Sequence, residues 1–365
     1  MRNSFFMMAK NSCRHGGDLD RAIETYGGKT EDWLDLSTGI SPWSYPADEL
    51  TQAAWRNLPP KTSDLISAAS DYYQFPNENI VATPGSQIAI RLIPQLLSEP
   101  QRVAVPSIGY QEHTSSWRAA GHTIVEYTNA QDLEHLIDTQ SVESCVLINP
   151  NNPTGEYFEH DFICHLEQKL SGILLLDEAF ADCAFDKQIH QTNMGHFSSS
   201  EKVIMLKSIG KFFGLAGARV GFVIGTAPLI ETLRFLLEPW SISAPSMTIA
   251  SQALRDFDWQ AHQRMRISMH ATEQRNLLSH FAETLDHANI IDQKLFFTLF
   301  AEETCLIELH EHLAKQQIWS RLGDSYKDKP QKSNQIIVKN WLRLSLAGEQ
   351  LPRLTGALKM HQILY

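Results

Sequence analysis

The chain is poor in cysteine, in positive charge and in long apolar runs, and each shortage excludes a class of protein. Five cysteines stand among 365 residues, at positions 13, 145, 164, 183 and 305. They are odd in number, scattered, and form no CxxC pair, so neither a disulfide framework nor a zinc site is expected. No metal is expected elsewhere. Lys plus Arg number 31 against 42 Asp plus Glu, a formal net charge of −11. A nucleic-acid-binding protein needs a basic face, so no nucleic-acid partner is expected. The longest apolar stretch, Gly214 to Ile230, is interrupted by Arg219 and by glycines, and the run Phe5 to Met8 is too short for a signal peptide. The sequence reads as cytoplasmic, with no membrane partner.

What is present is an ordinary globular composition, 43% hydrophobic and 20% charged. The length predicts two domains, or one large domain with an appendage. The middle third carries short apolar runs rich in β-branched residues: Arg102–Pro106, Thr123–Tyr127, Cys145–Asn149, Ile173–Asp177, Val203–Lys207 and Val220–Gly225. Several lack polar alternation, as strands covered on both faces do. Helical patterns at Tyr110–Ala120 and Glu159–Leu170 lie between them, which predicts an α/β fold with a mostly parallel sheet. Ligand groups in such sheets gather at the carboxyl ends of the strands. Beyond about residue 245 the pattern changes. A long helical stretch, Met247–Phe281, precedes strand-like pieces at Leu295–Phe300, Gln335–Val338 and Trp341–Leu346. This predicts a smaller α+β domain, against which the irregular first ~45 residues would pack. The expected division is a large domain over 46–240, and a small one from 1–45 with 241–365.

The strand Val203–Lys207 runs into a segment where Ser208, Lys211 and Arg219 lie among glycines 214, 217 and 221. Glycine allows close backbone turns. A lysine held there beside a hydroxyl and an arginine is suited to condense with an aldehyde cofactor whose phosphate Ser208 and Arg219 would grip.

The segment resembles S-x-x-K-x-x-G-L-A-G-x-R-x-G, the pyridoxal-phosphate lysine motif of fold-type I aminotransferases. Three other segments match that family in the same order. Asn149-Pro-Asn-Asn-Pro-Thr-Gly155 is similar to N-P-x-N-P-T-G, which implies that Asn152 meets the cofactor's phenolic oxygen. Leu174-Leu-Leu-Asp-Glu-Ala-Phe180 ends in an acid, and the resemblance makes Asp177 the partner of the ring nitrogen. A carboxylate there keeps the ring protonated, and a protonated ring accepts electrons better. Glu178 and Asp182 match no cofactor role. Thr83-Pro-Gly-Ser-Gln87 opens a helix where Gly85, Ser86 and Gln87 would present N–H groups and a hydroxyl to the phosphate. Tyr110 falls where the family stacks an aromatic ring on the cofactor. Lys211, Asp177 and Tyr110 are the expected catalytic residues.

The substrate end is read from both termini. Arg343, in the alternation Trp341-Leu-Arg-Leu-Ser345, matches the family's carboxylate-binding arginine. Arg321 is a second candidate. His15-Gly-Gly17 could offer a ring N–H and open amides to an anion, and Ser37-Thr-Gly39 could line the substrate mouth. His15, Gly16, Ser37, Gly39 and Asn152, with the two arginines, form the expected substrate set. H-G-G followed by L-D-L-S-T-G-I-x-P-x-x-Y-P is similar to the threonine-phosphate decarboxylases of cobalamin biosynthesis. That resemblance implies a homodimer that converts a small phosphorylated amino acid, L-threonine O-3-phosphate, to (R)-1-amino-2-propanol O-2-phosphate and carbon dioxide.

Three positions depart from the patterns. Phe180 stands where many aminotransferases have a tyrosine. Leu58-Pro59 stands where the histidinol-phosphate branch has Tyr-Pro, whose tyrosine reaches the partner's cofactor. Ser41 replaces the asparagine expected before Pro42. The alternatives are a histidinol-phosphate aminotransferase, which would need a keto acid, and a cofactor-binding regulator of DNA, which the charge disfavours.

Overall fold

A computed structural model describes residues 16–47, 52–184, 197, 200–323 and 340–364. In chain order the strands are β1 (Leu34–Asp35), β2 (Ile80–Thr83), β3 (Arg102–Pro106), β4 (Thr123–Tyr127), β5 (Ser144–Ile148), β6 (Leu174–Asp177), β7 (Val203–Ser208), β8 (Gly221–Ile224), β9 (Asn289–Asp292), β10 (Phe296–Phe300), β11 (Ile318–Trp319), β12 (Arg321–Leu322) and β13 (Trp341–Ser345). All six apolar runs of the middle third are strands. They join β2 in a seven-stranded sheet of order β2-β8-β7-β6-β5-β3-β4. The lack of polar alternation has the expected cause. Val103, Val146, Leu175, Leu206 and Val223 face one hydrophobic cluster, while Ala104, Cys145, Leu147, Leu176 and Phe222 face the other. Helices Ser63–Tyr73 and His160–Lys169 add to the second cluster; Ser86–Leu92, Glu112–Ala119 and Ala227–Leu237 add to the first.

Five strands, β7, β6, β5, β3 and β4, run parallel. β8 does not: it is antiparallel to both β7 and β2. The lysine loop between β7 and β8 holds no crossover helix, and without one the chain returns in the opposite direction. This reversal matters for the site. It brings the start of β8, just after Arg219, to the edge where the parallel strands end. Ser208 and Thr83 both pair with Gly221 there.

A four-stranded antiparallel sheet of order β12-β13-β10-β9 forms in the C-terminal third. The expected strand at Gln335–Val338 lies outside the described residues. The long helical stretch is two helices, Ala244–Arg255 and Phe257–Ala282. Asp256 divides them and caps the second, its Oδ1 accepting the Trp259 N–H at 2.9 Å. The first packs on Ser63–Tyr73, beside the large sheet.

The N-terminal segment is less irregular than expected. Leu19–Tyr26 is an amphipathic helix between two glycine pairs. β1 pairs in parallel with β11. The segment then ties the two sheets together. The Ser345 N–H donates to Leu36 O at 2.7 Å, the Ser41 N–H to Lys211 O at 3.0 Å, and the Tyr45 N–H to Phe213 O at 2.8 Å. Among the described residues, no helix is long and apolar enough to cross a membrane.

Candidate active site

The carboxyl ends of β2, β3, β5, β6 and β7 open on a cavity of about 590 Å³. Lys211 lines it. Its amine donates to Thr38 O at 2.9 Å and stands 5.2 Å from the centre of the Phe180 ring. Burial first, and then the nearby Arg343 charge, lower its pKa to about 8, with Asp177 acting in the opposite sense. The lowered pKa leaves a far larger neutral, nucleophilic fraction at physiological pH than an ordinary lysine has.

One end of the cavity is built for an anion. Gly85, Ser86, Ser208 and Arg219 all line it. Gly85 has φ +77°, and a Cβ there would lie 2.4 Å from the Arg219 guanidinium. A Cβ on Gly221 would lie 2.5 Å from the Ser86 nitrogen. Close approach to backbone requires glycine at 221, and the left-handed backbone conformation requires it at 85.

A carboxylate lines the cavity as well. Asp177, at the end of β6, is buried. Its Oδ1 accepts the Ala179 N–H at 3.1 Å, and its Oδ2 is 2.8 Å from His113 Nε2. Sequence reasoning missed His113. Its only signal was its place three residues after Tyr110, one helical turn on.

The three asparagines of the Asn-Pro segment separate cleanly. Asn149 holds Phe158 through both backbone groups, and Asn151 donates to Ile108 O and Thr154 Oγ1. Asn152 lines the cavity and accepts from Arg343. Arg343 also donates to Ser37 O. Its guanidinium is thus oriented by the protein. Burial and the Arg321 charge lower its pKa to about 10, which leaves it a cation at neutral pH. Arg321 on β12 is directly opposite Arg343 on β13, and both line the cavity.

The N-terminal residues are placed unequally. Gly16 lines the cavity, and His15 lies outside the described residues. Ser37 and Gly39 sit behind the wall, whose surface is made by Thr38 and Ile40. Ser37 is fully buried; its hydroxyl donates to Asp35 and accepts the Gly17 N–H at 2.7 Å. Gly39 donates to Ser345 Oγ and packs under Phe180. Ser41 also stands behind the wall, holding Trp43 and Gln263. Gln87 and Tyr110 line the cavity, joined by a hydrogen bond. Glu178, assigned no cofactor role, forms a buried ion pair with Lys207.

An anion cradle, a lysine amine and a buried carboxylate fit a phosphate, an aldehyde and a ring nitrogen on one molecule. A lysine so placed at the carboxyl edge of this sheet is the arrangement of fold-type I pyridoxal-phosphate enzymes. The family model "Aminotransferase class I and II" matches residues 48–358. The chain belongs to that family, and its cofactor is pyridoxal 5′-phosphate. It is 37% identical over 310 residues to a threonine-phosphate decarboxylase of Pseudomonas aeruginosa, covering 84% of this chain and 88% of that one. It is 38% identical over 252 residues to a threonine-phosphate decarboxylase of Sinorhizobium, covering 68% and 73%. A histidinol-phosphate aminotransferase from Sinorhizobium meliloti, solved with pyridoxal 5′-phosphate, superposes with a TM-score of 0.75 at 19% identity, covering 93% and 94%.

Proposed function

We propose that this protein is a pyridoxal-phosphate-dependent decarboxylase of L-threonine O-3-phosphate. The carboxylate carbon leaves as carbon dioxide, a proton takes its place on Cα, and (R)-1-amino-2-propanol O-2-phosphate is the product. The observation that carries the reading is the pair Arg321 and Arg343, side by side on β12 and β13 in a cavity that Lys211 also lines. A substrate with two anions and one amino group matches that set. The identity of 37–38% to threonine-phosphate decarboxylases supports the same substrate, whereas histidinol-phosphate aminotransferases match at 23–29%.

When bound, the cofactor supplies a ring that takes up the electron pair left on Cα. The chain does the rest. Ser86, Ser208 and Arg219, with the amides after Gly85, hold the cofactor phosphate. Asp177 would keep the proton on the ring nitrogen, Asn152 would meet the phenolic oxygen, and Tyr110 would pack against the ring. Arg343, deep and next to Lys211, holds the substrate carboxylate. Its contacts to Asn152 and Ser37 orient it before substrate arrives. Arg321, nearer the mouth, takes the substrate phosphate, together with His15 and Gly16. Lys211 returns a proton to Cα.

The cofactor domain spans 46–240, with 1–45 and 241–365 forming the smaller part that closes the substrate end. The protein works in the cytoplasm, in cobalamin biosynthesis, as a homodimer.

The test uses the cofactor-loaded protein and O-phospho-L-threonine without keto acid. Sustained release of carbon dioxide supports the decarboxylase. Absence of release, with loss of cofactor absorbance that 2-oxoglutarate restores, establishes an aminotransferase instead.

A further inference from the structure

We propose that Glu112 is a positioning residue that acts through Gln87 to hold the Tyr110 ring in place over the bound cofactor. Glu112 opens the helix Glu112–Ala119 and is buried at 6% exposure. Its Oε2 accepts from Gln87 Nε2 at 2.6 Å and from the Arg91 guanidinium at 3.1 Å. Gln87 and Arg91 are four residues apart on the helix Ser86–Leu92, so both reach the same side. Gln87 Oε1 then accepts the Tyr110 hydroxyl at 2.7 Å.

The direction of this relay follows from residue 112. A carboxylate accepts hydrogen bonds and an amide both donates and accepts. Glu112 therefore turns the Gln87 NH₂ toward itself and the amide oxygen toward Tyr110, which must donate. Arg91 keeps the carboxylate anchored. Fixing the phenol oxygen, the atom farthest from Cβ, pins both side-chain torsions of Tyr110 and hence the plane of its ring. The ring also meets His113 edge-on, and the relay adds a polar anchor at its far end. The relay also engages the Gln87 side chain, so residue 87 serves the phosphate by its backbone alone.

The proposal rests on Tyr110 covering the cofactor, and its test needs no substrate. The readouts are the cofactor dissociation constant and the visible circular dichroism of the bound cofactor. The variants are Glu112→Leu, Gln87→Leu, Tyr110→Phe and the double variant Glu112→Leu/Tyr110→Phe. Each single variant is expected to weaken cofactor binding about fivefold, the worth of one hydrogen bond, and to reduce the dichroic band. Because Glu112 acts through Tyr110, the double variant should bind no more weakly than Tyr110→Phe alone. Glu112→Gln, which retains an acceptor oxygen, should recover most of the loss. Wild-type binding and dichroism in Glu112→Leu, or losses that multiply in the double variant, overturn the proposal. Should Glu112→Leu fail to fold, Gln87→Leu decides. It severs the relay while Glu112 stays on Arg91, and wild-type readouts there overturn the proposal equally. A wild-type protein that binds cofactor but releases no carbon dioxide would overturn the decarboxylase reading and leave this one standing.

Discussion

His113 Nε2 stands 2.8 Å from Asp177 Oδ2, and both side chains are withdrawn from solvent. With the Ala179 N–H on the other oxygen, the carboxylate is held in one orientation. A fixed acid costs no reorganisation when charge develops on the cofactor ring. His113→Leu should therefore lower kcat roughly tenfold to a hundredfold, the range for losing a hydrogen bond to a charged group, with a smaller effect on KM. The absorbance of the bound cofactor should shift with it. Steady-state kinetics and an absorption spectrum check this; an unchanged spectrum with unchanged kcat removes His113 from the site.

Lys211 sets a pH dependence for cofactor capture. Its pKa is lowered to about 8, first by burial and then by Arg343. Only the neutral amine attacks an aldehyde. The rate at which the cofactor-free protein takes up pyridoxal phosphate should rise about tenfold per pH unit below 8 and level off above it. The sign for stability agrees. The unfolded lysine keeps its proton to about 10.5, so the cofactor-free protein should gain stability as pH rises from 8 to that value. Stopped-flow absorbance checks the first statement. A rate flat from pH 6 to 8 is incompatible with it. Lys211→Ala should show no such absorbance change at any pH.

Gly85 is held by two constraints, a φ of +77° and an Arg219 guanidinium 2.4 Å from where a Cβ would stand. The guanidinium is the end of a flexible side chain and can move aside; the backbone angle cannot. Gly85→Ala should cost about 1 kcal/mol or more of stability. It should also weaken cofactor binding by displacing Arg219. Thermal melts with and without cofactor measure both. Full affinity in the variant would mean that Arg219 does not grip the phosphate.

Asp182 is buried behind the site, and burial raises its pKa to about 6. Its effect on stability is complete below pH 4, where folded and unfolded forms are both protonated. It is lost as pH rises through 6, because the unfolded carboxyl ionises first. Asp182→Asn removes this pH-dependent cost. The variant should match or trail the parent at pH 4 and improve on it at pH 7, by roughly 1.4 kcal/mol for each pH unit by which burial has raised the carboxyl. Denaturant midpoints across that range test the sign. A difference independent of pH would show that Asp182 titrates normally.

Much of the fold was legible because buried parallel strands carry an unmistakable pattern. A short run such as Leu174–Asp177, apolar on both faces and followed at once by polar residues, suits a strand covered by helices on either side. The catalytic set was legible for a related reason. Lys211 and Asn152 stand next to a glycine and a proline, and Asp177 ends an apolar run, so each keeps a local signature. The helix Leu19–Tyr26 was hidden by its flanking glycines, and β2 was not read although it is as long as β6.

The order of segments along the chain, the strands, the lysine loop and the acid at 177 follow from local chemistry and are determined by sequence alone. What sequence could not decide is which residues meet across the fold. The reversal of β8 brings Arg219 to Ser86 and Ser208. The crossing of the N-terminal segment places the Thr38 carbonyl on Lys211 and the Ser37 carbonyl on Arg343, 306 residues away. Glu112, Gln87 and Tyr110 join through two helices that only packing aligns. Such contacts depend on the relative placement of whole elements, which the burial of both sheet faces settles and which no local pattern encodes.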